Sequence, residues 1–187
     1  MAASSWTQES YLRAFRFAAR AHSGQTVTGT ELPYLAHVTM VAMEVMAGLA
    51  AEQGLDGDLA VQCALLHDVI EDTPVTSVEL EREFGPALAR GVMALSKDPG
   101  LPEPAQLPDS LRRITAEPRE IWIVKLADRI TNLQPPPRHW SREKIVVYRQ
   151  EAKEILDTLG AASRVLGERL AEKIARYADF AKASERR

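Results

Sequence analysis

The 187-residue sequence predicts an all-α fold, and three observations carry that prediction. Apolar residues recur with a helical period in nearly every segment, and two-residue alternation over the length of a strand is hard to find. Prolines gather in two clusters, four of the 11 between Pro99 and Pro108 and three more at Pro135 to Pro137. Both clusters are expected to be loops, because proline lacks an N–H and biases the residue before it away from helix.

The first helix is predicted from about Ser5 to His22, with Tyr11, Leu12, Phe15 and Ala18 or Ala19 facing inward. A loop rich in Ser, Gly and Thr follows, from Ser23 to Pro33. A second helix is expected over about His37 to Glu52. A third, capped by Asp56 or Asp58, should run from Leu59 to about Asp72. Thr76 with Glu79 three residues later resembles a capping box that opens a short helix, and Gly85 closes it. Pro86 suits the first turn of the next helix, which carries Leu88, Val92 and Leu95 inward. A short helix near Leu107 to Thr115 precedes one from about Arg119 to Leu133. The run Ile121-Trp122-Ile123-Val124 in the latter would also suit a buried strand, but its length and neighbours favour helix. Ser141 can cap a long helix ending before Gly160, with Ile145, Tyr148, Ala152, Ile155 and Leu159 on one stripe. A last helix is expected to about Ala181, with a frayed end from Ser184 to Arg187. No internal repeat or second boundary interrupts this pattern, so one domain over 1–187 is expected, with its core at about 5–181.

Composition narrows the function. With 45% apolar and 26% charged residues the chain has the balance of an ordinary globular domain. Its size lets it bury roughly 70% of its unfolded surface without disulfide or structural metal. The single cysteine, Cys63, lies in an apolar run and reads as an inert core thiol in a reduced compartment. No apolar stretch approaches the roughly 20 residues of a membrane span, and the N-terminus lacks a signal pattern, so a cytoplasmic protein is expected. A net charge of −3 argues against nonspecific nucleic-acid binding. Any anionic ligand would need a local site.

The third helix is where polar residues break the pattern. Ala64-Leu65-Leu66-His67-Asp68-Val69-Ile70-Glu71-Asp72 sets four ionisable side chains in a strongly apolar segment. His67 with Glu71, and Asp68 with Asp72, are four residues apart and would stack on one side of a helix. Carboxylates at a helix C-terminus oppose the helix dipole by a few tenths to about 1 kcal/mol each, a conflict that a bound divalent cation would remove. The plainer reading is a satisfied histidine beside a solvated helix end. His37, after Tyr34-Leu35-Ala36, and Asp128, within Val124-Lys125-Leu126-Ala127-Asp128-Arg129, raise the same question. Taken singly, His37 suits the core or surface, and Asp128 suits an ion pair with Arg129 or Lys125. Together His37, His67, Asp68 and Asp128 would offer two imidazoles and two carboxylates, a donor set that suits Mn²⁺, Fe²⁺ or Zn²⁺.

These residues carry a resemblance. The order His37, His67-Asp68, Asp128, with the longer strings Leu65 to Thr73 and Lys125 to Arg129, resembles the HD-domain metal phosphohydrolases. Ala21-His22-Ser23-Gly24-Gln25, Pro33 to His37, and Leu126 to Arg129 followed by Asn132-Leu133 narrow the likeness to the hydrolase domain of RelA/SpoT proteins and the small stand-alone alarmone hydrolases. It runs in order from about Ala18 to Leu159. The resemblance implies an HD-type helical bundle in which His37, His67, Asp68 and Asp128 hold a divalent metal, usually Mn²⁺. It implies that Glu71 and Asp72 activate water, and that pyrophosphate is removed from the 3′ position of guanosine tetra- or pentaphosphate. By the same resemblance Asn132 would lie near the base and ribose, and Lys144 and Tyr148 beside the substrate, with Lys97 and Arg20 as further candidates. The chain's length leaves no room for an alarmone synthetase domain, so a stand-alone hydrolase domain is expected.

One departure bears on substrate. The loop that is usually basic in the family reads Thr26-Val27-Thr28-Gly29-Thr30-Glu31 here, with no positive charge. Phosphates would therefore receive no charge-assisted bonds from it. Rival readings are an HD phosphohydrolase of another nucleotide, such as the 2′-phosphate of NADPH or a nucleoside phosphate, a catalytically silent nucleotide-binding HD domain, and a helical scaffold without metal. Trp122, Trp140 or the final helix are candidates for homo-oligomer contacts.

Overall fold

In a computed structural model, which describes residues 5–137 and 139–183, the chain is helical and carries no strand among those residues. The helices are α1 (Gln8–Ala21), α2 (Tyr34–Ala51), α3 (Gly57–Leu66), α4 (Val69–Asp72), α5 (Ser77–Phe84), α6 (Pro86–Leu95), α7 (Glu103–Thr115), α8 (Arg119–Asn132), α9 (Arg142–Leu159) and α10 (Arg164–Ala183). The charged end from Ser184 lies outside the described residues.

Local chemistry sets most boundaries. The Thr7, Asp56, Thr76 and Ser141 side chains accept the backbone N–H of the third residue of α1, α3, α5 and α9, filling orphan donors of the first turn. Gly85 closes α5 at φ 90°, a left-handed conformation that glycine adopts without strain, and Pro86 opens α6. Three expectations are corrected. The second helix starts at Tyr34, directly after Pro33, so His37 lies within its first turn. The seventh starts at Glu103, inside the first proline cluster: Pro104 sits in the first turn, where no N–H is needed, and Pro108 is accommodated inside the helix at the loss of one bond. The third does not run on to Asp72. It stops at Leu66, His67 and Asp68 form a turn, and α4 begins at Val69.

That break has a local cause. His67 Nδ1 lies 2.8 Å from the Ala64 carbonyl, the group that would accept the Asp68 N–H in an unbroken helix. Glu71 and Asp72 consequently sit on a new short helix, and the expected conflict with the dipole of α3 does not arise.

The core is built around α8. Every residue from Glu120 to Thr131 except Trp122 is buried, which explains why its apolar run also looked like a buried strand. Helices α2, α3, α9 and α10 pack against α8, with Val38, Val41, Leu65, Leu66, Ile155, Leu159, Leu166 and Leu170 in the shared interior. Cys63 is buried there, and desolvation pushes its thiol pKa up, so it stays an uncharged core residue. Helix α2 is long and apolar enough to cross a membrane by length and composition alone. It nevertheless carries buried His37 and Glu44, and Arg169 of α10 grips Glu44 with two bonds of 2.6 and 2.7 Å, so α2 packs as a core helix.

Candidate metal centre

The first turn of α2, the turn between α3 and α4, and the last turns of α8 bring four side chains to one point. His37 Nε2 lies 3.4 Å from His67 Nε2, 3.5 Å from Asp68 Oδ2 and 3.6 Å from Asp128 Oδ1. His67 Nε2 lies 2.9 Å from Asp68 Oδ2 and 3.7 Å from Asp128 Oδ1. Donor atoms bonded at about 2.1 Å to one ion stand about 3.0 to 3.5 Å apart, and these separations, 2.9 to 3.7 Å, straddle that spacing. Ligand atoms of His37, His67 and Asp128, all buried, fall within 4.8 Å of one another.

The surroundings suit a cation. The Ala64 carbonyl can only accept, so His67 Nδ1 carries the proton and, in the neutral ring, Nε2 turns a lone pair to the centre. Burial opposes charge on His67, but Asp68 and Asp128 outweigh it and hold its pKa well above the ordinary value. Burial likewise opposes ionisation of the carboxylates; His67 outweighs it at Asp68, and Lys125 with His67 at Asp128, so both stay ionised far below the usual range. Lys125 Nζ is 3.3 Å from Asp128 Oδ2, which settles the ion pair in favour of Lys125 over Arg129. Two anions and two imidazoles with so little water around them are a donor set for a divalent metal.

The remaining candidates divide. Glu71 and Asp72 are exposed on α4 at the rim. The Lys97 backbone N–H donates to Glu71 Oε2 at 2.8 Å, and Lys97 Nζ stands 3.7 Å from Oε1. Asn132 donates to Asp128 Oδ1 at 2.6 Å, so it reaches the centre through the carboxylate. Lys144 lies over the Trp140 ring, which meets Tyr148 edge-on, and the Arg129 guanidinium lies 4.3 Å over Tyr148. Arg20 faces elsewhere, into a shallow groove lined by Phe17, Ala21, Val75, Glu79 and Glu83, none of which belongs to the cluster. Of the tryptophans proposed for self-association, Trp122 donates its indole N–H to the Glu117 carbonyl and Trp140 packs on Tyr148, so both are engaged within the chain.

A family model described as an HD domain matches residues 14–165. The chain belongs to the HD-domain family. Human guanosine-3′,5′-bis(diphosphate) 3′-pyrophosphohydrolase MESH1 is 32% identical over 164 residues, 85% of this chain and 89% of that protein. The bifunctional (p)ppGpp synthase/hydrolase SpoT of Escherichia coli is 38% identical over 128 residues, 65% of this chain but 17% of that much longer protein. Among solved structures, a metazoan ortholog of SpoT that hydrolyzes ppGpp superposes with a TM-score of 0.79 at 25% identity, covering 92% of this chain and 97% of the other.

Sequence reasoning missed residues of this HD-domain site. The Tyr34 hydroxyl lies 2.6 Å from Asp68 Oδ2 and 3.0 Å from Asp72 Oδ2. Its ring stacks on buried His22 at 4.7 Å, and Gln25 links His22 to the Asp72 carbonyl. The strings holding these residues stood out in the sequence, but a tyrosine opening an apolar helix has the pattern of a core residue. Arg129 was also missed. It is buried, and among the described residues its Nε and one terminal nitrogen find no hydrogen-bond acceptor; Glu151 at 3.4 Å is its carboxylate partner.

Proposed function

We propose that this protein removes pyrophosphate from the 3′ position of guanosine tetraphosphate, consuming one water and leaving GDP, with Mn²⁺ as its divalent cation. It acts as one HD hydrolase domain in the cytoplasm. The observation that carries this reading is the convergence of His37, His67, Asp68 and Asp128 with two exposed carboxylates, Glu71 and Asp72, next to them on α4. The relatives named for this same activity support the substrate.

Mn²⁺ held by those four residues would supply Lewis-acid polarisation of a phosphoryl oxygen and would acidify a nearby water. The protein's own groups do the rest. Asp72 accepts the proton of the attacking water, and Glu71, fixed by the Lys97 N–H, orients that water. Asn132 and Lys125 bind Asp128 from two sides and hold its carboxylate toward the centre. Lys97 and Lys144 supply the positive charge that the Thr26 to Glu31 loop lacks, and Tyr148, backed by Arg129 and Trp140, offers an aromatic wall to the nucleoside.

The test is a side-by-side assay of guanosine tetraphosphate, NADPH and simple nucleotides with Mn²⁺, products being separated by chromatography and Asp68→Ala serving as control. GDP and pyrophosphate from the first substrate, lost in the control, are expected. Turnover confined to NADPH or another nucleotide would replace the substrate, a second reading that the uncharged loop favours.

A further inference from the structure

We propose that Tyr34 is a positioning residue that ties Asp68 to Asp72 through a single shared hydroxyl proton; the inference rests on the roles given to these two carboxylates above. The phenol oxygen stands within hydrogen-bond distance of both, 2.6 Å from Asp68 and 3.0 Å from Asp72. An ionised carboxylate only accepts, and a phenol has one proton to give, so at any moment one carboxylate holds the bond and the other waits for it. The one proton is therefore shared in turn, and the hydroxyl orients Asp68 toward the centre and Asp72 at the rim.

The hydroxyl is held where this requires. The Tyr34 ring lies between His22, stacked at 4.7 Å, and His37, tilted at 5.3 Å. His22 Nδ1 is 2.7 Å from Gln25 Oε1, and Gln25 Nε2 donates to the Asp72 carbonyl at 2.7 Å, so one loop fixes both the tyrosine and the backbone of the carboxylate it serves. On the other side the Asp72 N–H bonds to the Asp68 carbonyl at 2.8 Å, within the single turn of α4.

Tyr34→Phe removes the hydroxyl and keeps the ring and its stacking. With guanosine tetraphosphate and saturating Mn²⁺, kcat is expected to fall about 10- to 100-fold while KM stays within about threefold, the range typical of groups that orient metal ligands. Mn²⁺ titrated into metal-free protein by calorimetry should bind about tenfold more weakly than to the wild type. A kcat within twofold of wild type, or a loss confined to KM, would overturn the tie to Asp72. Unchanged or tighter Mn²⁺ binding would overturn the tie to Asp68. Should the wild type itself leave guanosine tetraphosphate intact, the substrate reading falls on its own, and the Mn²⁺ isotherm still upholds or overturns the link to Asp68.

Discussion

His67 shows how one side chain can serve both fold and site. Its Nδ1 proton goes to the Ala64 carbonyl, which helps to end α3, and the same bond aims Nε2 at His37, Asp68 and Asp128. Breaking the helix is what lets Asp68 and His67, neighbours in sequence, point to one centre, since consecutive residues on a regular helix diverge by about 100°. The four central residues were legible because ionisable groups in apolar segments demand an explanation. Tyr34 was not, because its ring satisfies the apolar pattern and only its hydroxyl carries function. Asp128→Asn, which keeps shape and removes charge, is expected to weaken Mn²⁺ binding and lower turnover by more than about 100-fold, and to lower the melting temperature because buried Lys125 loses its partner. Equilibrium dialysis with Mn²⁺ and steady-state kinetics check both. Wild-type affinity in this variant would remove Asp128 from the ligand set.

Helix starts were legible wherever a side chain caps them, as at Thr76 and Ser141, and helix ends where glycine or proline stops them, as at Gly85. The errors came where tertiary context overrode a local rule. Pro102 and Pro104 signal a loop, yet proline is also at home in a first turn, and α7 uses it so. The α3 break depends on a side-chain bond that no periodicity reveals. Helix α6 illustrates a packing constraint equally hidden from pattern: a Cβ on Gly91 would come within 2.5 Å of Ile121 Cδ1 and 3.2 Å of Cys63 Sγ. Gly91→Ala is therefore expected to destabilise the fold by about 1–3 kcal/mol, despite alanine's better helix propensity, because α6 must retreat from α8. Urea unfolding measures this directly. A variant as stable as the parent would mean that Ile121 yields without cost.

Across the whole molecule, the arrangement places the site at the end of the buried helix. Asp128 belongs to α8, whose residues from Ile123 to Thr131 are all buried, and α2, α3 and α4 supply the other groups as they pack around it. The helices packed around α8 give the centre a rigid support for the side chains that converge there. Charge distribution was legible only in part. The missing positive charge between Thr26 and Glu31 is plain in the sequence, whereas the placement of Lys97 beside Glu71 and of Lys144 over Trp140 follows from tertiary packing. The same packing sends Arg20 into a separate groove on the α1 side, and substituting it should leave turnover unchanged.

The proposed function requires that His37, His67, Asp68 and Asp128 hold a divalent cation for cleavage of a 3′-pyrophosphate. Its most direct test is turnover of guanosine tetraphosphate by protein stripped with a chelator and then supplied with Mn²⁺, with GDP and pyrophosphate quantified. No turnover is expected in the stripped protein, and equal amounts of both products after about one ion per chain is restored. Turnover that survives complete removal of metal, or a fully loaded protein that leaves the 3′-pyrophosphate in place, would contradict it.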